Sequence, residues 1–305
     1  MIFAPVPSRA HAASGGLANS DEDFRMRPLR QDLPPSGAPG DPAAAPGTAG
    51  SATAQDAEAR SARALSVVVP MKDEEPNVVA LVTEICAALG EDTGDDEIVL
   101  VDDGSRDGTV REMLRARTQF GRRIRVIRHD RNRGQSTAIC TGVRAASGVL
   151  IATLDGDGQN DPADIPRLVA ELRAHASDGV TMVIGERRVR HDSFVRRMSS
   201  RIANKVRDAL LHDGVSDTGC GLKVFARSTF LELPPFDHMH RFLPALVRAA
   251  GGGIIAMPVS HRPRKAGRSK YGIGNRLWVG IVDLLGVRWL IKRQVAPHAG
   301  REERE

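Results

Sequence analysis

Apolar runs alternate with polar breaks along the middle of this chain. Leu65-Ser66-Val67-Val68-Val69-Pro70 is a β-branched run closed by proline, and the polar loop Met71 to Asn77 follows it. From Asn77 to Leu89, Val78, Leu81, Val82 and Ile85 recur at helical spacing and predict a helix with one apolar face. The unit then repeats. Glu97 to Val101 stops at Asp102-Asp103-Gly104-Ser105-Arg106-Asp107-Gly108-Thr109 and opens a second helix. Ile124 to Arg128 leads through His129-Asp130-Arg131-Asn132-Arg133-Gly134 into a helix running past Ala138 to Ala145. A fourth strand, Val149 to Leu154, precedes a helix from Ala163 to His175, and a fifth run, Val180 to Ile184, is capped by Gly185-Glu186-Arg187-Arg188. A glycine-rich turn from Asp213 into a short strand at Val224, helical text from Arg241 to Ala250 and a strand from Gly253 to Val259 complete the globular part. Strand, loop and helix in this order predict an α/β fold. It is a Rossmann-like, mostly parallel sheet with helices on both faces, whose ligands bind beyond the carboxyl ends of the strands.

The pattern fails at both ends of the chain. Residues 1–62 are rich in Ala, Gly, Pro and Ser without apolar periodicity, so the composition predicts a disordered tail that buries too little to offset its ordering entropy. Its opening, Met1-Ile2-Phe3-Ala4-Pro5-Val6-Pro7, has neither a basic start nor an unbroken apolar core, and no signal peptide is expected. The globular domain is placed at 63–272 and a helical segment with its tail at 273–305. Within that segment Leu277 to Ile291 is apolar but interrupted by Asp283 and Arg288. It falls short of the roughly 20 unbroken apolar residues of a spanning helix. With Arg276, Lys292 and Arg293 at its ends and Trp278 and Trp289 near them, it reads either as an amphipathic helix lying on a membrane surface or as a helix packed on the domain or on a second copy.

The net charge of +5 and isoelectric point near 9.5 favour a polyanionic partner. Aromatic residues make up only 4% of the chain, too few for a stacking platform on nucleic acid, and no nucleic-acid recognition motif is present. Nucleic acid is therefore not expected as a partner. The three cysteines, Cys86, Cys140 and Cys220, lack the close spacing of a zinc site or disulfide framework and suit a reducing compartment.

The chemistry concentrates where strands end. After Leu150 to Leu154 come Asp155, Asp157 and Gln159, at alternate positions and separated by glycines. Alternate side chains of extended backbone point to the same side, so these oxygens can converge on a hard divalent cation, Mg²⁺ or Mn²⁺. In isolation such a run is more often a turn. Its setting changes the balance, because Glu74, Asp103 and Arg133 fall at the ends of the neighbouring strands. No glycine fingerprint for a dinucleotide follows the first strand and there is no phosphate-binding lysine loop. Near the C terminus a basic loop runs from His261 to Gly272, and Lys223 reads as an ion-pair partner for Asp217.

Taken in order, V-V-V-P-M-K-D-E-E, V-D-D-G-S-R-D-G-T, N-R-G-Q, D-G-D-G-Q-N-D-P, D-T-G-C-G-L-K-V-F and H-R-P-R-K-A-G-R-S-K-Y-G resemble the family-2 glycosyltransferases of GT-A fold, in particular their polyprenyl-phosphate branch. The resemblance implies that Pro70, Lys72, Glu74, Asp103 and Asp155 bind the nucleotide-sugar, and that Asp155, Asp157 and Gln159 hold the metal. It also implies that Asp157, Arg264 and Lys270 serve catalysis, and that Arg187, Arg196, Ser200, Arg264 and Ser269 meet the acceptor phosphate. Two positions depart from the family pattern, Asp73 where Asn is usual and Ala256 where Glu often stands.

The activity so implied is metal-dependent transfer of a sugar, with inversion, from a GDP- or UDP-sugar to polyprenyl phosphate. It is expected at the cytoplasmic face of a membrane, with the C-terminal helix as peripheral anchor. A saccharide or other hydroxyl acceptor, or a non-catalytic scaffold that binds nucleotide-sugar, are the alternatives. An oligomer is compatible with the sequence.

Overall fold

The computed structural model describes residues 64–90, 96–120, 124–187, 206–263 and 274–293, with the side chains of 274–279 left aside. The tail at 1–62 lies outside the described residues. Seven strands form one sheet: β1 (Leu65–Met71), β2 (Glu97–Asp102), β3 (Ile124–Arg128), β4 (Leu150–Thr153), β5 (Val180–Arg187), β6 (Lys223–Ala226) and β7 (Gly253–Val259). Their spatial order is β3-β2-β1-β4-β6-β5-β7. β1 pairs in parallel with β2 and β4, β2 with β3, and β5 with β7, whereas β6 runs antiparallel between β4 and β5. The mostly parallel sheet expected from the sequence is the sheet observed.

Alternation along each strand supplies two cores. On one face Val67, Val69, Ile98, Leu100 and Ala152 meet Leu81, Val82 and Ile85 of α1 (Val78–Leu89), Met113 of α2 (Thr109–Phe120) and Leu168 and Leu172 of α4 (Ile165–Ala174). The other face takes Val68, Val99, Val101 and Ile151. They pack with Ile139 and Val143 of α3 (Gln135–Ala145), Phe230 of α5 (Arg227–Glu232), Leu243 and Leu246 of α6 (Leu243–Ala249) and Val287 of α7 (Gly274–Arg293). The four apolar positions predicted to line α1 are its four buried residues.

α7 is apolar on two faces. Val287 is buried, and Leu284, Leu290 and Ile291 pack beside it against the core, while Ile281, Val282, Leu285 and Trp289 are 42, 52, 56 and 62% exposed. The polar residues that break its run face the domain. Asp283 Oδ2 lies 2.9 Å from His238 Nδ1, and Arg288 donates to the Leu210 carbonyl at 3.2 Å. No helix among the described residues is long and apolar enough to cross a membrane.

Candidate active site

In a sheet of this order the carboxyl ends of β1, β2 and β4 form one edge, and the antiparallel β6 brings its first residue there too, with Lys223 opposite Thr153. At the end of β1, Lys72 donates from Nζ to the Asp103 and Gly104 carbonyls at 3.4 and 3.1 Å. Asp73 has φ +48°, a left-handed conformation that short polar side chains tolerate. Its N–H donates to Ser105 Oγ and its Oδ1 accepts from the Arg106 N–H, each at 2.8 Å. Glu74 accepts from Asn77 Nδ2 at 2.7 Å, in front of α1. Pro70 lies within β1, opposite Val101.

Asp103, the residue after β2, is a buried hub. Its Oδ1 meets His129 Nδ1 at 2.9 Å and the Arg133 N–H at 2.8 Å, and its Oδ2 accepts from the Gly134 N–H at 2.9 Å. The β3–α3 loop is thereby tied to β2. From the first residue of α3, Gln135 Nε2 reaches Asp155 Oδ1 at 2.8 Å. Glu74, Asp103 and Arg133, separated in sequence, thus stand at one edge of the sheet with the carboxylates that follow β4.

Beyond β4 the chain turns through Gly158, whose φ of +71° is left-handed and suits glycine. The turn is pinned by the Gln159 N–H donating to Asp157 Oδ1 at 3.1 Å and by Asn160 Oδ1 accepting from the Asp155 N–H at 3.3 Å. Asp157 is buried and Gln159 half-buried. Burial, and next the charge of Asp157, raise the Asp155 carboxyl above its usual range; Lys223, Gln135 and Arg187 oppose that rise. Two neighbouring carboxylates whose charges repel form a hard oxygen site that a divalent cation relieves.

Among the described residues no group of three or more His, Cys, Asp or Glu side chains is set to hold a metal. The donors here that would suit a divalent cation are the Asp155 and Asp157 carboxylates with Gln159 in the same turn, and such an ion would draw its further ligands from water or a diphosphate.

Behind the pair lies a basic layer. Lys223 is buried and donates to the Cys220 carbonyl. Desolvation lowers its pKa while the charges of Asp155 and Asp217 resist the change. Arg187, at the end of β5, grips Asp217 with a two-pronged bond, Nε to Oδ2 and Nη2 to Oδ1, both at 2.7 Å. Arg187 is thus a two-pronged partner of Asp217, and Lys223 feels the charges of both Asp217 and Asp155. His240 accompanies this layer as a neutral group. Its pKa falls to about 3, through burial first and then the Lys223 and Arg241 charges, and its Nδ1 is 2.7 Å from Ser136 Oγ.

Sequence reasoning passed over Gln135, Asn160 and the buried role of Lys223. The N-R-G-Q and D-G-Q-N-D motifs contained the first two, but only the turn and helix start aim them at Asp155. Arg196, Ser200, Arg264, Ser269 and Lys270 lie outside the described residues.

With this geometry in place, the comparison with known proteins is decisive. The sequence pattern of glycosyl transferase family 2 matches residues 66–233. This chain belongs to glycosyl transferase family 2. Over 239 residues it is 38% identical to the dodecaprenyl-phosphate galacturonate synthase of Rhizobium johnstonii, covering 76% of this chain and 69% of that protein. Over 209 residues it is 34% identical to an undecaprenyl-phosphate 4-deoxy-4-formamido-L-arabinose transferase of Aeromonas hydrophila, covering 68% of this chain but 63% of the relative. Less than two thirds of that second relative is thus spanned. Among solved structures, the glucosyl-3-phosphoglycerate synthase of Mycobacterium tuberculosis in complex with Mn²⁺, UDP and glucosyl-3-phosphoglycerate superposes with a TM-score of 0.58 at 20% identity. That match covers 84% of this chain and 88% of the other. The same enzyme with Mn²⁺, UDP-glucose and glycerol 3-phosphate gives 0.56 at 21%. At these identities the likeness is one of fold, and it extends the family assignment to the GT-A-like architecture.

Proposed function

We propose that this family-2 protein is a metal-dependent, inverting glycosyltransferase that moves a sugar from a nucleotide-sugar to polyprenyl phosphate. The observation that carries the reading is the Asp155–Asp157 pair on the ligand edge of the sheet, backed by Lys223. The names of the relatives, which are polyprenyl-phosphate sugar transferases, supply the acceptor class. The domain is assigned to 63–272.

When bound, Mg²⁺ or Mn²⁺ supplies Lewis acidity to the departing diphosphate. The protein does the rest by position. Asp155 and Asp157 are the proposed cation ligands, with Gln159 as the third. Gln135 holds Asp155 by its Oδ1, leaving Oδ2 on the other side of the carboxylate. Lys72 caps the ends of β2 through the Asp103 and Gly104 carbonyls and, with Pro70, Glu74 and Asp103, forms the proposed nucleotide edge. Asp103 also fixes the loop before α3 through His129 and the Arg133 and Gly134 N–H groups. Arg187 has Nε and one N–H of Nη2 committed to Asp217, which leaves Nη1 and the second Nη2 N–H for an acceptor phosphate. Arg196, Ser200, Arg264, Ser269 and Lys270 are assigned to the acceptor and leaving phosphates on the family pattern alone. A phosphate nucleophile is ionised at neutral pH, so attack on the anomeric carbon needs no strong general base, and one displacement inverts that centre. This suits a site whose two carboxylates are occupied as ligands.

The acceptor is tested by incubating the protein with Mn²⁺, polyprenyl phosphate and radiolabelled UDP- and GDP-sugars in turn. Label is expected in the organic phase with one donor. Label only in a water-soluble saccharide replaces the lipid acceptor with a hydroxyl one, and no transfer with any donor favours a scaffold.

We assign α7 as the membrane-facing element. Ile281, Val282, Leu285 and Trp289 form its open apolar face, and Lys292 and Arg293 stand at its end, a combination suited to the head-group region of an anionic, cytoplasmic leaflet. Replacing Leu285 and Trp289 together by Asp should lower binding to anionic vesicles by about tenfold or more, because each buried apolar side chain contributes about 1.5–3 kcal/mol. Unchanged sedimentation of the double variant with vesicles removes this assignment.

A further inference from the structure

The turn that carries Asp157 and Gln159 is not held by its own residues alone. As the chain leaves β7, the Ser260 N–H donates to Asp164 Oδ2 at 2.7 Å. His261 makes an antiparallel bridge with Asn160, and the Arg262 N–H donates to the Gln159 carbonyl at 2.9 Å. The Arg262 guanidinium then spans two carboxylates. Its Nη2 lies 2.6 Å from Asp161 Oδ2, and its Nη1 lies 2.7 Å from Glu84 Oε2 on α1. A planar fork between two acids on different elements fixes both in distance and direction, which a lysine does less well.

We propose that Arg262 is a positioning residue that clamps the Gln159–Asp161 turn to α1 and so sets the geometry of the cation site formed by Asp155, Asp157 and Gln159. Its backbone holds Gln159 and its side chain holds Asp161, so Gln159 is gripped from both sides of Asn160. Without the guanidinium the turn keeps the β-bridge and its internal hydrogen bonds but loses the ion pairs that join Asp161 to Glu84 of α1. The expected result is a site of the same composition with looser ligands. The inference rests on the cation site proposed above.

The test measures Mn²⁺ binding to the purified full chain by the electron paramagnetic resonance signal of free Mn²⁺, together with Mn²⁺ activation of transfer. Arg262→Ala should weaken Mn²⁺ binding about tenfold, the scale on which residues supporting metal ligands act. The Mn²⁺ activation constant should rise in proportion while turnover at saturating Mn²⁺ is largely kept. Arg262→Lys should recover part of the loss. Glu84→Gln, which weakens one arm at a half-exposed helix position and leaves Asp161 in place, should give a smaller loss and covers the case in which Arg262→Ala fails to fold. Unchanged Mn²⁺ affinity in both Arg262→Lys and Glu84→Gln, or in a folded Arg262→Ala, overturns the proposal. Wild-type protein that binds Mn²⁺ and an Asp157→Ala protein that does not then show that the cation site itself survives. Absence of Mn²⁺ binding by the wild type removes the cation site and this inference with it.

Discussion

Asp157→Ala should abolish metal-dependent transfer, with a fall in kcat/KM of about a thousandfold or more. The side chain is nearly buried at the turn after β4, 7% exposed, and its charge is the second cause, after burial, of the raised Asp155 carboxyl. As a proposed cation ligand it stabilises charge on the departing diphosphate, a contribution of several kcal/mol, and each 1.36 kcal/mol is a factor of ten. The fold should stand. One hydrogen bond lost is that from the Gln159 N–H, worth about 1 kcal/mol, and relief of repulsion with Asp155 offsets part of the cost. Transfer assays across an Mn²⁺ series, paired with thermal unfolding, check both halves. Turnover that survives with its Mn²⁺ dependence intact removes Asp157 from the site.

Gly221→Ala should cost about a hundredfold in kcat/KM, the scale of displacing a reacting group by roughly 1 Å. A Cβ at Gly221 would overlap both oxygens of the Asp155 carboxylate. The glycine is not among those with positive φ, so alanine meets no backbone penalty there and the strain falls on the Asp155 side chain. To escape, Asp155 must turn away from Gln135 Nε2, its present hydrogen-bond donor at 2.8 Å. Thermal stability should change little beside the loss of activity, because a carboxylate at a site edge can move where a packed strand cannot. Wild-type activity in a folded Gly221→Ala protein means that Asp155 need not occupy its observed position. The two variants ask different questions, the first whether a ligand is needed and the second whether its placement is.

Much of this site could be read before any fold was known. Asp155, Asp157 and Gln159 announce themselves as an oxygen-rich run after an apolar strand, and Glu74, Asp103 and Arg133 by standing at other strand ends. What could not be read is which atoms each group spends on its neighbours. Asp103 has the residue type of a ligand contact, and its oxygens also tie His129 and the Arg133 and Gly134 N–H groups to the end of β2. Arg187 has the type of a phosphate contact, yet two of its nitrogens belong to Asp217. Lys223 reads as an ion-pair partner for Asp217, and its burial beside Asp155 as well is not visible in the sequence. In α7, Asp283 and Arg288 look like breaks in an apolar face, whereas both turn inward and leave the outer face apolar.

The sequence by itself determined the order of the strands and of the helices other than α5, the apolar face of α1 and the family, because hydrophobic period and motif order are local properties that survive without coordinates. Tertiary structure decided the direction of β6. A four-residue strand can run either way, and only its pairing between β4 and β5 brings Lys223 to the sheet edge that carries Asp155. It also decided that the chain leaving β7 returns to the Gln159 turn, so that Arg262 joins Asp161 to Glu84, a residue 178 positions away in the chain. Contacts at that separation depend on how the sheet closes, and no local pattern encodes them.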